Sequence, residues 1–281
     1  MKSQPIAMLF GIAAALFGGA VALVMPLTSA QAETFVRFEH EGALSFGVLD
    51  GQTISEKSGD MFGASTLTGR EFRRGAVRLL PPSDASKVFA VGMNFASHIS
   101  SASNAPPPLF LKLPTSLAGD GQDIVLPEDA TNVHFEGELV LIIGKRASKI
   151  SPSEVPEHVF GVTAGNDLTE RSWQGRDLQW MRSKASDGFG PVGPGVVTGL
   201  NYNDLLLTTR LNGEIVQQES TKNMIHKPAK VVSYLSQYFT LLPGDMIFMG
   251  TPGRTKALSD GDVVSVTIDG VGTVSNKIVR P

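Results

Sequence analysis

Cysteine is missing from all 281 residues. That excludes a disulfide framework, a thiolate metal site and a thiol nucleophile. It also suits an oxidising compartment, where no stray thiol can mispair. Charge is sparse: 18% of residues are Asp, Glu, Lys or Arg, the net charge is −3, and Lys and Arg do not cluster. The basic surface that nucleic acid requires is therefore lacking. The motifs G-x-x-x-x-G-K-[ST], H-E-x-x-H and G-x-S-x-G do not occur, which leaves P-loop, zincin and serine-hydrolase chemistry without support. GFGPVG at 188–193 has the letters of a dinucleotide fingerprint. Its third glycine would have to open a helix, and Pro191 and Pro194 bar one by removing donors and clashing. That match is accidental.

What is present divides into three stretches. Residues 1–32 read as a cleavable export signal: Lys2, a long apolar segment, Pro26, then the small-residue tail ending in Ala30-x-Ala32. Export to the periplasm or outside the cell follows. An uncleaved membrane anchor is the competing reading, because the apolar segment is long enough. Residues 33–83 read as a small β-rich domain, with alternating FVRFEHEGALSFGVLDGQTI turning at Asp50–Gly51. Residues 84–281 read as one larger domain. Strands are expected in KVFAVGM, PPLFLKL, QDIVLP, ELVLIIG, HVFGVTAG, MIFMGTP and DVVSVTIDG. Helices are expected after the capping box Ser151–Pro152–Ser153–Glu154 and from Pro228 through KVVSYLSQYFTLL to Pro243–Gly244. Strands outnumber helices and do not alternate with them, which predicts a β-rich α+β fold.

HFEGELVLIIGK at 134–145 concentrates the chemistry. ELVLIIG has the look of a strand buried on both faces, and residues two apart on a strand share a face, roughly 6.6 Å from one another. Glu136 and Glu138 thus sit together at the mouth of a core, where anions are costly unless paired or metal-bound. A solvated strand end is the plain alternative. Asp167, in AGNDLTERSWQ, fits a helix cap with Glu170 equally well. Taken together, three oxygen ligands from two elements suit Mg²⁺, Mn²⁺ or Ca²⁺ rather than zinc. His98, Lys112 and Lys184 lie beside apolar or Gly/Pro-rich sequence, with structural or exposed roles as their plain readings.

In order along 84–281, VGMNFASH, LFLKLPTS, FEGELVLIIGK, GNDLTERSWQ, the 180–184 segment, the NGE and Gln217 region, LLPGDMIFMGTP and LSDGDVVSVTIDGVG resemble the fumarylacetoacetate hydrolase family. The resemblance implies a mixed β-roll or sandwich, a homodimer, and Mg²⁺ or Mn²⁺ acting on small 2-oxo or 2,4-dioxo acids. It makes Glu136, Glu138 and Asp167 the metal ligands and His98 a catalytic base. Lys184 would stabilise an enolate and Gln174 would orient water or substrate. Thr251, with Gly250 and Lys112, would bind the substrate. Hydrolytic members carry a glutamate three residues after the histidine; here Ser101 stands there, and Phe95 replaces a usual tyrosine. The leading expectation is hydrolysis of a C–C bond in a 2,4-dioxo acid. Isomerisation or decarboxylation of 2-oxo acids follows it, then metal-dependent binding without chemistry.

Overall fold

A computed structural model describes residues 32–99 and 105–281. The export signal (Ala32 apart) and Ser101 lie outside the described residues. Among the described residues, no helix is long and apolar enough to cross a membrane.

All seven expected strands form, at Val88–Val91, Leu109–Lys112, Ile124–Val125, Gly137–Ile143, Val159–Asn166, Met246–Phe248 and Val263–Ile268. They are distributed over two sheets. The large sheet runs Ser65–Arg73, Thr53–Gly59, Ala43–Asp50, Thr34–His40, Gly190–Val197, Val159–Asn166, Gly137–Ile143, Met246–Phe248, Val88–Val91 and Leu109–Lys112. A five-stranded sheet runs Glu214–Ser220, Leu206–Leu211, Val263–Ile268, Gly272–Val279 and Ile124–Val125. The β-rich α+β class follows directly.

The strand Gly137–Ile143 is buried at every residue, and its alternation feeds two cores. Leu139, Leu141 and Ile143 pack with Leu207, Val266 and Leu235, while Val140 and Ile142 pack with Val88, Met246 and Phe248 on the other side. Truncating Leu141 to Ala would cost about 2–5 kcal/mol by lost transfer energy and a residual cavity. Two-residue periodicity puts Glu138 on the Val140 face, so hydrophobic packing on this strand is what aims a carboxylate inward. Gly137 lies where a Cβ would come within 2.0 Å of Thr209 Oγ1. Only glycine lets the strand pass this close to the second sheet.

Three features go beyond the sequence reading. The 33–83 stretch continues the large sheet, because Thr34 and Phe35 pair with Val197 and Val196. Its hairpin at Asp50–Gly51 closes as expected, with Asp50 paired to Thr53 and Gly51 at φ +56°. Secondly, Gly190–Val197, rejected as a dinucleotide turn, is a buried strand in mid-sheet. Two prolines there argue against a central strand, but its pairing with Val159–Asn166 is interrupted by a bulge between Val162 and Ala164. Its glycines allow close approach: a Cβ on Gly195 would meet Phe35 O at 2.5 Å. Thirdly, the capping box yields only the one-turn helix Val155–His158. Glu154 does bond back to Ser151, at 2.8 Å to its N–H. The helix at Pro228–Tyr238 forms with proline in its first turn and ends five residues before Pro243.

Candidate active site

Glu136 stands just before the strand Gly137–Ile143 and Glu138 on it, while Asp167 follows the neighbouring strand Val159–Asn166. Adjacent antiparallel strands thereby bring Asp167 beside residues 31 and 29 positions earlier in sequence. The Asn166 side-chain carbonyl accepts the Glu136 N–H at 2.8 Å, and Glu136 O accepts the Asp167 N–H at 2.8 Å. One carboxylate oxygen from each of the three acids lies within 4.8 Å of the others, and all three are buried. Asp167 caps no helix. Glu170 does, accepting the Trp173 N–H at 2.7 Å.

Three cations serve two of the three anions here. Lys184 Nζ donates to Glu136 Oε2 at 2.6 Å and also to Asp167 Oδ2. Lys112 Nζ donates to Asp167 Oδ1 at 2.6 Å, to Phe189 O at 3.0 Å and to Lys184 O. Arg171 reaches Glu136 Oε1 at 2.5 Å. Burial alone would lower the Lys184 pKa, but Asp167, Glu136 and Glu138 outweigh it and raise it, so the ammonium is fixed. Burial likewise pushes Glu136 up, yet Lys184 and Arg171 hold it well below the usual carboxylate range.

Glu138 has the opposite balance. Its hydrogen bond comes from the Gly250 N–H at 2.7 Å. Burial first, then the charges of Asp167 and Glu136, push its carboxyl well above the ordinary range. A buried carboxylate with so little compensation, in an all-oxygen donor set, fits a hard divalent ion. Glu136, Glu138 and Asp167 would hold such an ion.

These acids line a cavity of about 50 Å³ with His98, Phe110, Arg171, Gln174, Trp180, Lys184 and Thr251. His98 Nδ1 contacts Gly253 O at 2.6 Å, and its Nε2 lies 3.6 Å from Glu136 Oε1. A carbonyl only accepts, so Nδ1 donates to it, which turns Nε2 toward Glu136 and the cavity. Gln174 Oε1 accepts from Arg171 at 2.9 Å. Phe95, 1% exposed, belongs to the main core.

The structure gathers His98, Gln174, Thr251 and Lys184 around the acid trio. It places two residues elsewhere. Lys112 lies behind Asp167 with its ammonium spent on protein acceptors, so it orients a carboxylate rather than facing the cavity. Gly250 offers its N–H to Glu138, and its φ of +90° next to Asn94 explains why a glycine stands there. Sequence reasoning missed Arg171, Gly253 and Thr255 and gave Gln217 no role. Arg171 opens the short helix Arg171–Gln174 after the strand Thr169–Glu170, and its guanidinium reaches Glu136.

A sequence profile described as Fumarylacetoacetate (FAA) hydrolase C-terminal matches residues 87–279. The chain belongs to the fumarylacetoacetate hydrolase family. A second profile, Rv2993c-like N-terminal, matches residues 34–82. Protein Rv2993c of Mycobacterium tuberculosis is 40% identical over 257 residues, covering 87% of this chain and 97% of that protein. Among solved structures, 2-hydroxyhepta-2,4-diene-1,7-dioate isomerase from Mycobacterium marinum is 39% identical with a TM-score of 0.83, covering 88% of this chain and 98% of its own. Fumarylpyruvate hydrolase from Pseudomonas aeruginosa, in complex with Mn²⁺ and pyruvate, is 30% identical with a TM-score of 0.67, covering 73% and 92%. Members of this family are enzymes, and the buried trio is placed to bind a divalent metal.

Proposed function

We propose that the chain is a divalent-metal-dependent enzyme that interconverts enol and keto forms of short 2-oxo and 2,4-dioxo acids. The setting of His98 carries this reading. Its ring is held by the Gly253 carbonyl, and no acid occurs in the segment from His98 to Ser101. A neutral imidazole so held can take a proton from the substrate at Nε2 and return it. Ser101 stands where hydrolytic members carry a glutamate, so this segment supplies no carboxylate to strengthen the histidine for activating water. A proton shift needs a base and a stabilised enolate, and no nucleophilic water.

The other side chains have matching tasks. Lys184 keeps a fixed positive charge where enolate charge develops, which is the effective use of a preorganised cation. Thr251 holds the substrate carboxylate from the GTP turn, and Gln174, steadied by Arg171, orients the substrate over the trio. A bound Mg²⁺ or Mn²⁺ would supply Lewis-acid polarisation of the 2-oxo group. The likeness to an isomerase of a 2-hydroxy-diene dioate supports the same chemistry.

The test incubates metal-loaded protein with enol oxaloacetate and with an acylpyruvate. Accelerated loss of enol absorbance, without CO₂ or free carboxylic acid, is expected. Release of carboxylic acid from the acylpyruvate would replace this reading with C–C hydrolysis, which the likeness to fumarylpyruvate hydrolase favours. Metal-dependent binding without turnover would leave a binding protein. Ser101→Glu should raise acylpyruvate hydrolysis roughly tenfold if the missing carboxylate limits it, a modest share of what acid–base catalysis contributes.

A further inference from the structure

We infer that Gln217 is a positioning residue that makes Thr251 an obligate hydrogen-bond donor toward the cavity, so that this end of the site accepts a carboxylate. The inference rests on the functional reading above and adds a specificity device to it.

Gln217 comes from the second sheet, on the strand Glu214–Ser220, and is 3% exposed. Its Oε1 accepts the Gly137 N–H at 3.1 Å, between the two metal-site glutamates. Its Nε2 donates to Pro252 O at 2.5 Å and to Thr251 Oγ1 at 2.9 Å. The amide's orientation is not free. A backbone N–H only donates and a backbone carbonyl only accepts, so Gly137 and Pro252 dictate which end is oxygen and which is nitrogen. Both amide protons are then committed, one of them to Thr251. The Thr251 hydroxyl therefore receives from Gln217 and must direct its own proton elsewhere. Thr251 lines the cavity, and no other protein acceptor for that proton is recorded among the described residues. An anionic acceptor such as a substrate carboxylate completes the set. The same side chain ties the Glu136–Glu138 segment to the Gly250–Thr251 turn, so metal and carboxylate are held in one frame.

The test measures oxalate binding to the Mn²⁺-loaded protein by calorimetry, with Mn²⁺ affinity measured alongside. Thr251→Ala should weaken oxalate tenfold or more, about the worth of a hydrogen bond to a charged group. In a Gln217→Glu background the acceptor-only carboxylate captures the Thr251 proton, so adding Thr251→Ala should cost less than about twofold. Gln217→Met removes the donor without supplying a strong acceptor, so the Thr251 hydroxyl is no longer aimed but can still donate, and the Thr251→Ala cost should fall between the parent's and that in Gln217→Glu, should the first variant fold poorly. Thr251→Ser should bind within about threefold of the parent when Gln217 is present and gain nothing in the Gln217→Glu background. An equal Thr251→Ala cost in all backgrounds overturns the inference while leaving the 2-oxo acid reading intact. If the parent protein binds Mn²⁺ but no oxalate, that reading fails, and the inference falls with it.

Discussion

Glu56 in the N-terminal strands and Glu138 in the active site are both nearly closed to water, at 1% and 2% exposure. Glu56 accepts from Ser45 at 2.6 Å, from Thr68 at 2.7 Å, and from Arg70 at 2.7 and 2.5 Å. Burial raises its pKa, but these partners outweigh burial and hold it at about 2. Glu138 has one N–H donor and two anionic neighbours, and is pushed the other way. Low solvent exposure by itself therefore does not assign a role. What separates Glu56 from Glu138 is how much of each one's charge the protein itself compensates.

That contrast can be broken most forcibly at the metal. Glu136→Gln or Glu138→Gln should weaken Mn²⁺ or Mg²⁺ binding about a hundredfold or more, exceeding the 10–100-fold cost typical of outer-shell changes. Glu56→Gln should leave it unaltered. Calorimetric titration decides, and unchanged affinity in the Glu136 and Glu138 variants would remove the trio as ligands.

Next comes stability of the metal-free protein, where the two sites should have opposite signs. Glu56→Gln should destabilise by about 1–2 kcal/mol through lost charge-assisted hydrogen bonds. Glu138→Gln should stabilise by about 1 kcal/mol, since it removes a buried carboxyl whose ionisation the site disfavours. Urea melts in chelator read both.

The pH dependence follows from the same pKa directions. Glu56 has a depressed pKa, so its contribution is complete above its ordinary 4.5 and is lost as pH falls toward about 2. The melting-temperature gap between parent and Glu56→Gln should close over that interval. Glu138 has a raised pKa, so its contribution is present below 4.5 and is lost as pH rises through its folded value. The smallest expected signal is proton release when Mn²⁺ displaces that proton, seen as a buffer-dependent binding enthalpy in mildly acidic solution and absent in Glu138→Gln.

Much of the site could be read from the chain because strand periodicity is strict. Glu136 and Glu138 share a face with Val140 and Ile142, and the hydrophobic run reveals which face is inward. Asp167 was legible only in combination with them, since the same letters also describe a helix cap; the cap belongs to Glu170 instead. The strand Gly190–Val197 was hidden because its prolines and glycines argue locally against a sheet, and only its neighbours' close approach accounts for them. Gln217 and Thr255 were hidden because neither has a local signature: each acts across a gap that the chain closes from far away, Thr255 accepting from Arg171 at 3.0 Å.

Local pattern by itself determined that two glutamates enter a buried strand, that the fold is mostly β, and that cysteine chemistry is excluded. The tertiary structure alone decided which carboxylates are neutralised by lysine and arginine and which is left without a cationic hydrogen-bond partner. Alternation along a strand is a property of neighbouring residues. Charge compensation is a sum over everything within a few ångströms, and that neighbourhood exists only once the sheets have packed.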